Sequence, residues 1–415
     1  MTTSIRNLKI QERLQVIVDT QRCFKCRFCS LALSYCPGEN NCVGCGACVV
    51  ACPAEARRLV TKKILEQYVK LSINGEKFVV PKSITTLRAL ELAGFHVSSF
   101  PKEGDIFAPC KTGGCLSCAV LINGKLQPSC VTPVQDNMNI STELVNVKSI
   151  RGVSGFQGHY VGGVGTPYET KAKGSSGSFI EVAVFSHGCL YRCPTCQNWQ
   201  ITYLSNGSPL TPQSSSRRLT EIRHQYNVDR MAISGGESTL NRQWLIEFVE
   251  NLHKLNTDQD ARIHIDTNAA ILTPDYIDDL IEAGMTDIGP DLKGARLETF
   301  MKITHLTDEN LAQKYLTTSW EAVKYILDYY ADKVFMGVGI PYNNTFMSFE
   351  ELSEIGNMLM KWDPNIQITV LDYRPEFRAQ ALKRPSYQEM VQIKDLLNGI
   401  GLKKVVCQTY RGHIH

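Results

Sequence analysis

Short apolar runs alternate with helix-like patterns through the second half of the chain. Six of these runs have the length and the β-branched content of buried strands. They lie at 180–185, 230–233, 263–266, 287–291, 334–340 and 366–371. Between them, apolar residues recur at the 3.6-residue period of amphipathic helices, for example at 242–255, 274–283 and 348–362. Strands that alternate with helices predict an α/β fold with a partial (β/α)6 barrel.

The pattern before this region has the two-residue period of β-strands. Residues 71–80 alternate around Asn74-Gly75, a dipeptide typical of a type I′ hairpin. An amphipathic helix is predicted directly afterwards, over 85–93. A further hairpin dipeptide follows at Asn123-Gly124. A hairpin followed by a helix predicts a β-grasp domain.

The composition of the 415 residues is that of a globular protein. Hydrophobic residues make up 43% and charged residues 20%, which argues against disorder, collagen and coiled coil. The 44 Lys and Arg residues and 41 Asp and Glu residues leave a formal net charge of +3, too small to indicate binding to nucleic acid. Residues 1–20 lack the apolar core of a signal peptide, and no apolar run approaches the ~18 residues of a membrane span. We therefore expect a soluble cytoplasmic protein of two or three domains.

Sixteen cysteines carry most of the chemical information, because clustered thiols in a reducing cytosol usually bind metals or act in catalysis. Eight lie within 23–52, four within 110–130 and three within 189–196. Only Cys407 stands apart from these groups. We expect it to be a small buried residue of a terminal strand.

The first cysteine group contains C-x2-C-x2-C-x3-C-P, the spacing with which bacterial ferredoxins bind [4Fe-4S] clusters. A second triple precedes it, and its remote cysteine follows after six residues instead of three. Because the fourth cysteine of each run ligates the other cluster, the spacing predicts two exchanged sets. They are Cys23, Cys26, Cys29 and Cys52 for one cluster, and Cys36, Cys42, Cys45 and Cys48 for the other. A four-cysteine zinc site is the alternative. Residues 19–58 resemble dicluster bacterial ferredoxins.

The second cysteine group has the plant-type [2Fe-2S] spacing. Its members are Cys110, Cys115, Cys118 and Cys130. Gly113 and Gly114 allow the backbone to curl closely around a cluster, and a structural zinc site is the alternative. The stretch 110–124 resembles the [2Fe-2S] domain of succinate dehydrogenase iron-sulfur subunits. The whole segment 69–142 is similar to the ferredoxin-like domain of large respiratory dehydrogenase subunits.

The third cysteine group has the spacing C-x3-C-x2-C, with Cys189, Cys193 and Cys196. Three thiolates leave one iron of a [4Fe-4S] cluster open, and here the sequence resembles the radical SAM superfamily. Three further motifs support the resemblance, since each follows a predicted strand: Ser234-Gly-Gly-Glu237, Asp266-Thr-Asn268 and Asp291-Leu-Lys293. Together with the stretches 166–171 and 197–199, they look like pyruvate formate-lyase activating enzyme and the AmmeMemoRadiSam-system branch.

This resemblance implies a pocket for S-adenosylmethionine (SAM) at the carboxyl ends of the strands. The residues that it assigns to the pocket are Gly235, Gly236, Glu237, Asp266, Thr267, Asp291 and Lys293. Glu237 and the glycine backbone would receive the SAM ammonium group. Thr195 stands where the family usually has an aromatic residue, so Tyr191 or Trp199 is expected to contact the adenine. Arg374 either pairs with the SAM carboxylate or lies at the surface.

The motifs divide the chain into four parts: a dicluster ferredoxin module at 1–66, a β-grasp [2Fe-2S] domain at 67–146, a glycine-rich linker at 147–178 and a radical SAM barrel at 179–415. The stretch 160–165 is accordingly expected to be an ordinary linker. His187, beside the third cysteine group, is expected to be a solvated loop histidine.

The combination of motifs predicts a radical SAM oxidoreductase. The resemblance implies SAM, three [4Fe-4S] clusters and one [2Fe-2S] cluster as cofactors. It also implies a 5′-deoxyadenosyl radical that abstracts hydrogen from a protein or small-molecule substrate. An external low-potential donor, either ferredoxin-like or a reductase, would feed an internal relay, unless the [2Fe-2S] centre withdraws an electron from the substrate. The alternatives are a glycyl-radical enzyme activase and an electron-transfer protein without its own catalysis.

Overall fold

The computed structural model describes residues 5–8, 10–63, 67–172 and 179–415. The chain divides into two compact units. The first comprises Met1–Val153, His187–Leu190 and Trp199–Thr211, and the second comprises Ser154–Ser186, Tyr191–Asn198 and Pro212–His415. Both units are therefore discontinuous in sequence, whereas the motifs predict four consecutive segments.

The first unit contains a six-stranded sheet and two small two-stranded sheets. Its strands are β1 (Arg6–Asn7), β2 (Glu12–Val18), β3 (Arg57–Lys63), β4 (Tyr68–Ile73), β5 (Glu76–Pro81), β6 (Val97–Ser98), β7 (Ile106–Phe107), β8 (Ala119–Ile122), β9 (Lys125–Pro128) and β10 (Met138–Ser141). Its helices are α1 (Phe28–Leu31), α2 (Ala47–Val50), α3 (Thr86–Ala93) and α4 (Trp199–Thr202). The order in the large sheet is β1-β5-β4-β10-β8-β9.

Local sequence explains the hairpins and the helix of this sheet. Asn74-Gly75 joins β4 to β5 and Asn123-Gly124 joins β8 to β9, with positive φ at all four residues as type I′ turns require. Helix α3 begins after Thr85, whose hydroxyl accepts a hydrogen bond from the Arg88 amide, and it ends at a left-handed glycine. The predicted hairpins and helix are confirmed. Strand β1 differs from the prediction, because it pairs with β5 instead of staying within a separate module 1–66.

The second unit alternates strands and helices. Its strands are β11 (Val153–His159), β12 (Glu181–Ser186), β13 (Arg230–Gly235), β14 (Arg262–Thr267), β15 (Asp287–Pro290), β16 (Phe335–Tyr342), β17 (Gln367–Asp372), β18 (Lys404–Thr409) and β19 (Gly412–Ile414). Its helices are α5 (Pro212–Tyr226), α6 (Arg242–Leu255), α7 (Pro274–Glu282), α8 (Leu297–Thr304), α9 (Glu309–Tyr330), α10 (Phe349–Trp362) and α11 (Tyr387–Ile400). The predicted α/β fold is confirmed.

The strands of the second unit form one sheet in sequence order from β11 to β19. Strands β12 to β18 run parallel, and β19 returns antiparallel along β18. All six predicted strands are present, and β18 adds a seventh parallel strand that the predicted barrel did not count. Cys407 lies in β18 and is fully buried, as expected. Within the described residues, no helix is both long and apolar enough to cross a membrane.

The glycine-rich stretch 160–165 is not an ordinary linker, so that expectation was wrong. Its last residues lie among the strands of the second unit, where the Gly163 amide donates to Glu181 of β12 (3.1 Å) and the Gly165 carbonyl accepts from Arg230 of β13 (3.1 Å). A methyl group on Gly163 would lie 2.6 Å from the Asp266 carboxylate of β14. The Thr166 carbonyl accepts from Gln367 of β17 (2.9 Å).

Two strand glycines make room for this segment. A methyl group on Gly289 of β15 would lie 2.6 Å from the Gly165 amide, and one on Gly337 of β16 would lie 2.2 Å from the Val164 carbonyl oxygen. The segment 163–166 thus contacts six consecutive strands, β12 to β17. Six flat strands would span about 24 Å at ~4.8 Å spacing, whereas four extended residues reach about 14 Å. The sheet therefore curls around the segment, as a barrel does.

Substitution of Gly165 should loosen this packing. In Gly165→Ala the new methyl group would clash with the Ile288 carbonyl carbon. Because Ile288 is part of a strand, its backbone can shift only at a cost in free energy. We expect a loss of roughly 1–3 kcal/mol in the free energy of unfolding, seen as a lower urea midpoint by circular dichroism. Gly399→Ala in α11 is the matched control, since nothing lies within 4 Å of its added methyl group. A midpoint for Gly165→Ala equal to that of the control would contradict the packing.

Candidate functional site

The four cysteines of the second group converge in a fully buried loop of the first unit. The Cys115 and Cys110 sulfurs lie 3.0 Å apart, and the Thr112 amide donates to the Cys110 sulfur (3.4 Å). Hydrogen bonds from Cys115 and Cys130 lower the pKa of Cys110. Gly113 has a φ of +88°, and a methyl group there would lie 2.7 Å from Val131, so only glycine fits. A tight set of buried thiols with amide donors suits a [2Fe-2S] cluster.

Charge interactions within the first group join thiols of the same predicted set. Charge interactions link Cys45 to Cys36 and Cys42, and Cys48 to Cys45 and Cys36. Burial raises the pKa of Cys45 to about 11 and that of Cys48 to about 12. These thiols are the four predicted for one cluster.

Charge interactions also join members of the other predicted set. Cys29 interacts with Cys52 and Cys26, which belong with the partly buried Cys23 in the other predicted set. Arg57 interacts with Cys29 and Cys48, which belong to different sets. No pattern in the sequence indicated this role of Arg57. Charge interactions thus join three of the four thiols predicted for the set of Cys29, and ligation of iron stays a prediction.

The third group is divided between the units, with Cys189 in the first and Cys193 and Cys196 in the second. Burial raises the pKa of Cys193 to about 12, and the nearby Lys293 ammonium acts in the opposite direction. The Cys196 amide donates to the Cys193 carbonyl (3.2 Å). The loop is fastened further by Asn198, whose side chain donates to the Gly235 carbonyl (3.1 Å). This hydrogen bond joins the end of the cysteine motif to the Gly-Gly-Glu motif.

The Gly-Gly-Glu motif ends β13 in a tight turn. Gly235 has a φ of +108°, and a methyl group there would lie 2.6 Å from the Ser186 amide. The buried Glu237 carboxylate accepts hydrogen bonds from the Thr239 amide (3.0 Å), the Thr267 hydroxyl (2.6 Å) and the Asn268 amide (2.8 Å). The carboxylate thus ties the carboxyl end of β13 to that of β14. Its predicted contact with the SAM ammonium group stays a prediction.

Lys293 lies at the centre of a buried cluster at the carboxyl ends of β15 and β17. Its ammonium donates to the Asp291 carboxylate (2.9 Å) and to the Tyr373 hydroxyl (3.1 Å). Burial lowers the pKa of Lys293, but the Asp291 charge outweighs it and raises the pKa. Burial raises the pKa of Tyr373. Asp291 Oδ1 is buried without a hydrogen-bond donor among the described residues, so a cationic ligand group has an acceptor there.

Sequence reasoning missed Tyr373, because 80 residues separate it from Lys293. The only signal was its place two residues after the predicted strand 366–371, because barrels gather functional groups at the ends of their strands. The neighbouring Arg374 is partly exposed and pairs with Glu376 (3.5 Å). This position agrees with the surface alternative for Arg374.

Asp266 belongs to a second buried cluster, on β12 and β14. Its carboxylate lies 3.0 Å from His264 Nε2, and Glu181 lies 3.5 Å from the other ring nitrogen. Burial lowers the pKa of His264, but the Asp266 and Glu181 carboxylates outweigh it and raise the pKa to about 10. Burial raises the pKa of Glu181, but the neighbouring His159 and His264 side chains outweigh it and lower the pKa to about 2. A charged imidazole between two carboxylates holds these strands together.

Tyr191 and Trp199, the two residues predicted as alternatives for the adenine contact, both pack against aromatic rings. Tyr191 is buried between Phe300 and Tyr315, with ring centroids 5.5 and 6.1 Å away. Trp199 packs on Phe28, with centroids 4.9 Å apart. Their predicted adenine contacts stay predictions.

His187 is only 3% exposed, so the expectation of a solvated histidine was wrong. Burial, followed by the charge of Arg151, lowers its pKa to about 4. Its amide donates to the Gly152 carbonyl (2.9 Å), and its side chain packs against Gly114 and Gly152.

Known sequence families match two parts of the chain. Residues 183–355 match the radical SAM superfamily, and residues 66–144 match the 2Fe-2S iron-sulfur cluster binding domain. The protein therefore contains a radical SAM domain and a [2Fe-2S] domain. Their cofactors are SAM, a [4Fe-4S] cluster and a [2Fe-2S] cluster. The dicluster module and the likeness to activating enzymes stay predictions.

Individual relatives are similar over shorter stretches. An uncharacterized iron-sulfur protein of Methanococcus maripaludis is 40% identical over 72 residues, which are 17% of this chain and 14% of that protein. A molybdenum cofactor biosynthesis protein of Caenorhabditis elegans is 22% identical over 208 residues, 49% of this chain and 32% of that protein. The chain thus spans much less than two thirds of the length of these relatives.

Solved structures are similar to parts of the chain at low sequence identity. SuiB of Streptococcus suis, bound to S-adenosylmethionine, is 14% identical with a TM-score of 0.41, over 53% of this chain and 48% of that one. Coproporphyrinogen III oxidase of Escherichia coli is 15% identical with a TM-score of 0.34, over 49% of this chain and 54% of that one.

The charge on His264 should make stability depend on pH. Because its folded pKa of about 10 lies above the ordinary 6.5, its contribution is complete below pH 6.5 and is lost as the pH rises toward 10. The upper limit is about 5 kcal/mol at ~1.36 kcal/mol per pKa unit. Urea unfolding of the protein and of His264→Gln between pH 6 and 10 measures this loss. The exposed His224→Gln is the control, and parallel curves for the protein and His264→Gln would contradict the assignment.

Proposed function

We propose that this protein is an oxidoreductase that cleaves SAM reductively and uses the resulting 5′-deoxyadenosyl radical to abstract hydrogen from a protein or small-molecule substrate. The observation that carries the proposal is the cluster of Cys193, Lys293, Asp291 and Tyr373. The cysteine motif for a cluster with an open iron thus lies near a buried cation, Lys293, and near a carboxylate acceptor, Asp291 Oδ1.

The chemistry comes from the cofactor, since a [4Fe-4S] cluster on Cys189, Cys193 and Cys196 would supply the electron and an open iron for the SAM amino and carboxylate groups. The residues of the chain would bind SAM and orient it on the cluster. Lys293 provides a positive charge for the carboxylate, and Asp291 Oδ1 provides an acceptor for an N–H of the amino group. Glu237 holds the ends of β13 and β14 in register. Burial of these groups excludes water and strengthens each electrostatic contact.

We further propose that the remaining cysteines hold two [4Fe-4S] clusters and one [2Fe-2S] cluster that relay electrons within the chain. Grouping of the thiols into the predicted sets supports this arrangement. A small pocket of the first unit is lined by Cys36, Cys45 and Cys48 of one set and by Thr112 and Val131 of the [2Fe-2S] loop. Tyr35, which lines the same pocket, interacts with Cys118 and Cys130.

An external donor would enter at the exposed first group. Phe24 and Leu31 are each 64% exposed, beside the exposed Cys26. Lys25 and Arg27 have left-handed backbone conformations in the same loop and are exposed. An apolar centre with basic neighbours suits an acidic electron carrier such as a ferredoxin-like protein.

Two alternatives remain as proposals. A glycyl-radical activase would use the same SAM chemistry on the backbone of a partner enzyme, but cluster inserts in activases typically follow the C-x3-C-x2-C loop, whereas here the cysteine groups precede it. An electron-transfer protein without catalysis would leave the buried cluster of Lys293, Asp291 and Tyr373 without a purpose.

The catalytic proposal is tested by removing one ligand of the third group. Anaerobically reconstituted protein should contain about 14 iron atoms per chain, for three four-iron clusters and one two-iron cluster. Cys193→Ala should lose about four of them and form no 5′-deoxyadenosine with dithionite and SAM, while the [2Fe-2S] electron paramagnetic resonance (EPR) signal persists.

Cys407→Ala is the matched control, since it removes a buried thiol that lies outside the three groups. It should keep its iron content and its SAM cleavage. Normal 5′-deoxyadenosine formation in Cys193→Ala would disprove the catalytic proposal. Zinc instead of iron in the first cysteine group would disprove the electron relay.

The donor site is tested by reversing its charge. The double variant Lys25→Glu/Arg27→Glu should raise the KM for a reduced acidic ferredoxin about 5- to 30-fold, at ~1 kcal/mol for each exposed charge pair. The difference should shrink at high salt. Dithionite, which needs no docking, should support equal rates in both proteins. The exposed pair Lys77→Glu/Lys125→Glu in the large sheet is the charge-matched control, and an equal KM effect there would rule out a local docking site.

A further inference from the structure

Gly188, the residue before the first cysteine of the third group, packs directly on the [2Fe-2S] loop. A methyl group on Gly188 would lie 2.8 Å from Cys115 Cβ and 3.1 Å from Cys110 Cβ. All three residues belong to the first unit. The backbone that leads into Cys189 therefore contacts two of the four cysteines in the [2Fe-2S] loop.

Hydrogen bonds reinforce this contact through a chain of peptide groups. The Gly114 carbonyl accepts from the Gly152 amide (3.0 Å), and the Gly152 carbonyl accepts from the His187 amide (2.9 Å). Methyl groups on Gly114 and Gly152 would lie 2.6 and 2.7 Å from His187 atoms. The [2Fe-2S] loop, Gly152 and His187 thus pack without intervening side chains.

The same segment is fixed from its other side. The Gly188 amide donates to the Thr202 carbonyl (2.8 Å), and the buried Arg151 donates to the His187 carbonyl (3.5 Å). Arg151 is itself held by a pair of backbone hydrogen bonds with Leu210 (3.0 and 2.8 Å). Closely packed and restrained backbone is suited to electron transfer, because the rate falls steeply with distance and with gaps between atoms.

We propose that the packing of Gly188 on Cys110 and Cys115 is the junction through which electrons pass between the [2Fe-2S] centre and the cluster of the third cysteine group. This inference rests on the proposed function, since it assumes that both cysteine groups hold clusters. One electron crosses at each step: the donor centre is oxidised by one unit and the acceptor centre is reduced by one unit, without proton transfer. A low-potential carrier protein replaces the electron.

A second route starts at the first cysteine group. Phe28, next to Cys29, packs with a tilted ring against Trp199, three residues after Cys196. This route joins the groups through two side chains that are not ligands. Gly188, by contrast, touches the ligand residues themselves and is bonded to Cys189. The structure therefore favours the junction at Gly188 over the contact at Trp199.

The first test leaves the junction intact and measures its spin coupling. In fully reduced protein, a paramagnetic cluster at the third group should speed the relaxation of the [2Fe-2S] EPR signal. The power for half-saturation of that signal should therefore fall in Cys193→Ala, which lacks that neighbour, and should stay unchanged in Cys407→Ala. Equal half-saturation in the protein and Cys193→Ala would overturn the proposal.

The second test changes the junction. Protein reduced by limiting dithionite is mixed with SAM, and oxidation of the [2Fe-2S] centre is followed by freeze-quench EPR. Gly188→Ala should slow this oxidation at least about tenfold, the effect of ~1.4 kcal/mol on a barrier. Gly207→Ala is the matched control, because Gly207 has nearly the same φ (+83° against +84°) but nothing within 4 Å of its added methyl group. It should behave as the unchanged protein.

Two results distinguish the failures. A slow step in Trp199→Phe together with normal oxidation in Gly188→Ala would overturn the junction in favour of the second route. Absence of 5′-deoxyadenosine from the unchanged protein with excess dithionite would instead disprove the proposed function. The relaxation test would still decide whether the two centres are neighbours, since it requires no SAM.

Discussion

The fold of the second unit depends on a backbone segment that is held inside a curled sheet. Residues 163–166 fit there because Gly289 and Gly337 leave space for main-chain atoms. The carbonyl and amide groups of the segment are satisfied by Glu181, Arg230 and Gln367, so their burial is not costly. Lys293 and Glu237 follow the carboxyl ends of two strands of this sheet, β15 and β13.

The features that depend on neighbouring residues, such as turns and helix caps, could be predicted from the sequence. The Asn-Gly turns and the cap at Thr85 determine the hairpins and α3. Long-range packing could not be predicted in this way: no pattern indicated that β1 pairs with β5, or that His187 is buried. A usable signal did exist for the internal segment. Gly337 interrupts an apolar strand, and a glycine there often marks a close approach by another backbone.

Local charge matters more here than the small net charge of the whole chain. Arg57 stands beside a thiol of each set in the first group, and Lys293 stands near Cys193. A cation near a thiol favours the thiolate, the form that binds metal. Burial acts in the opposite direction on the same groups. The pKa of Cys48 and of Cys193 is raised on balance, so the neighbouring cation offsets only part of the effect of burial.

The discontinuous first unit also has a consequence for biosynthesis. Its continuous part ends at Val153, but the segment Trp199–Thr211 belongs to it as well. The ribosome needs about 3–12 s to add the 58 residues from 154 to 211, at 5–20 residues per second. During that interval the Ala32 and Leu31 carbonyls lack their later partners, Ser205 and Asn206. For several seconds, the first two cysteine groups have therefore been synthesised but the segment Trp199–Thr211 has not. Cluster-assembly factors can reach those cysteines in this interval.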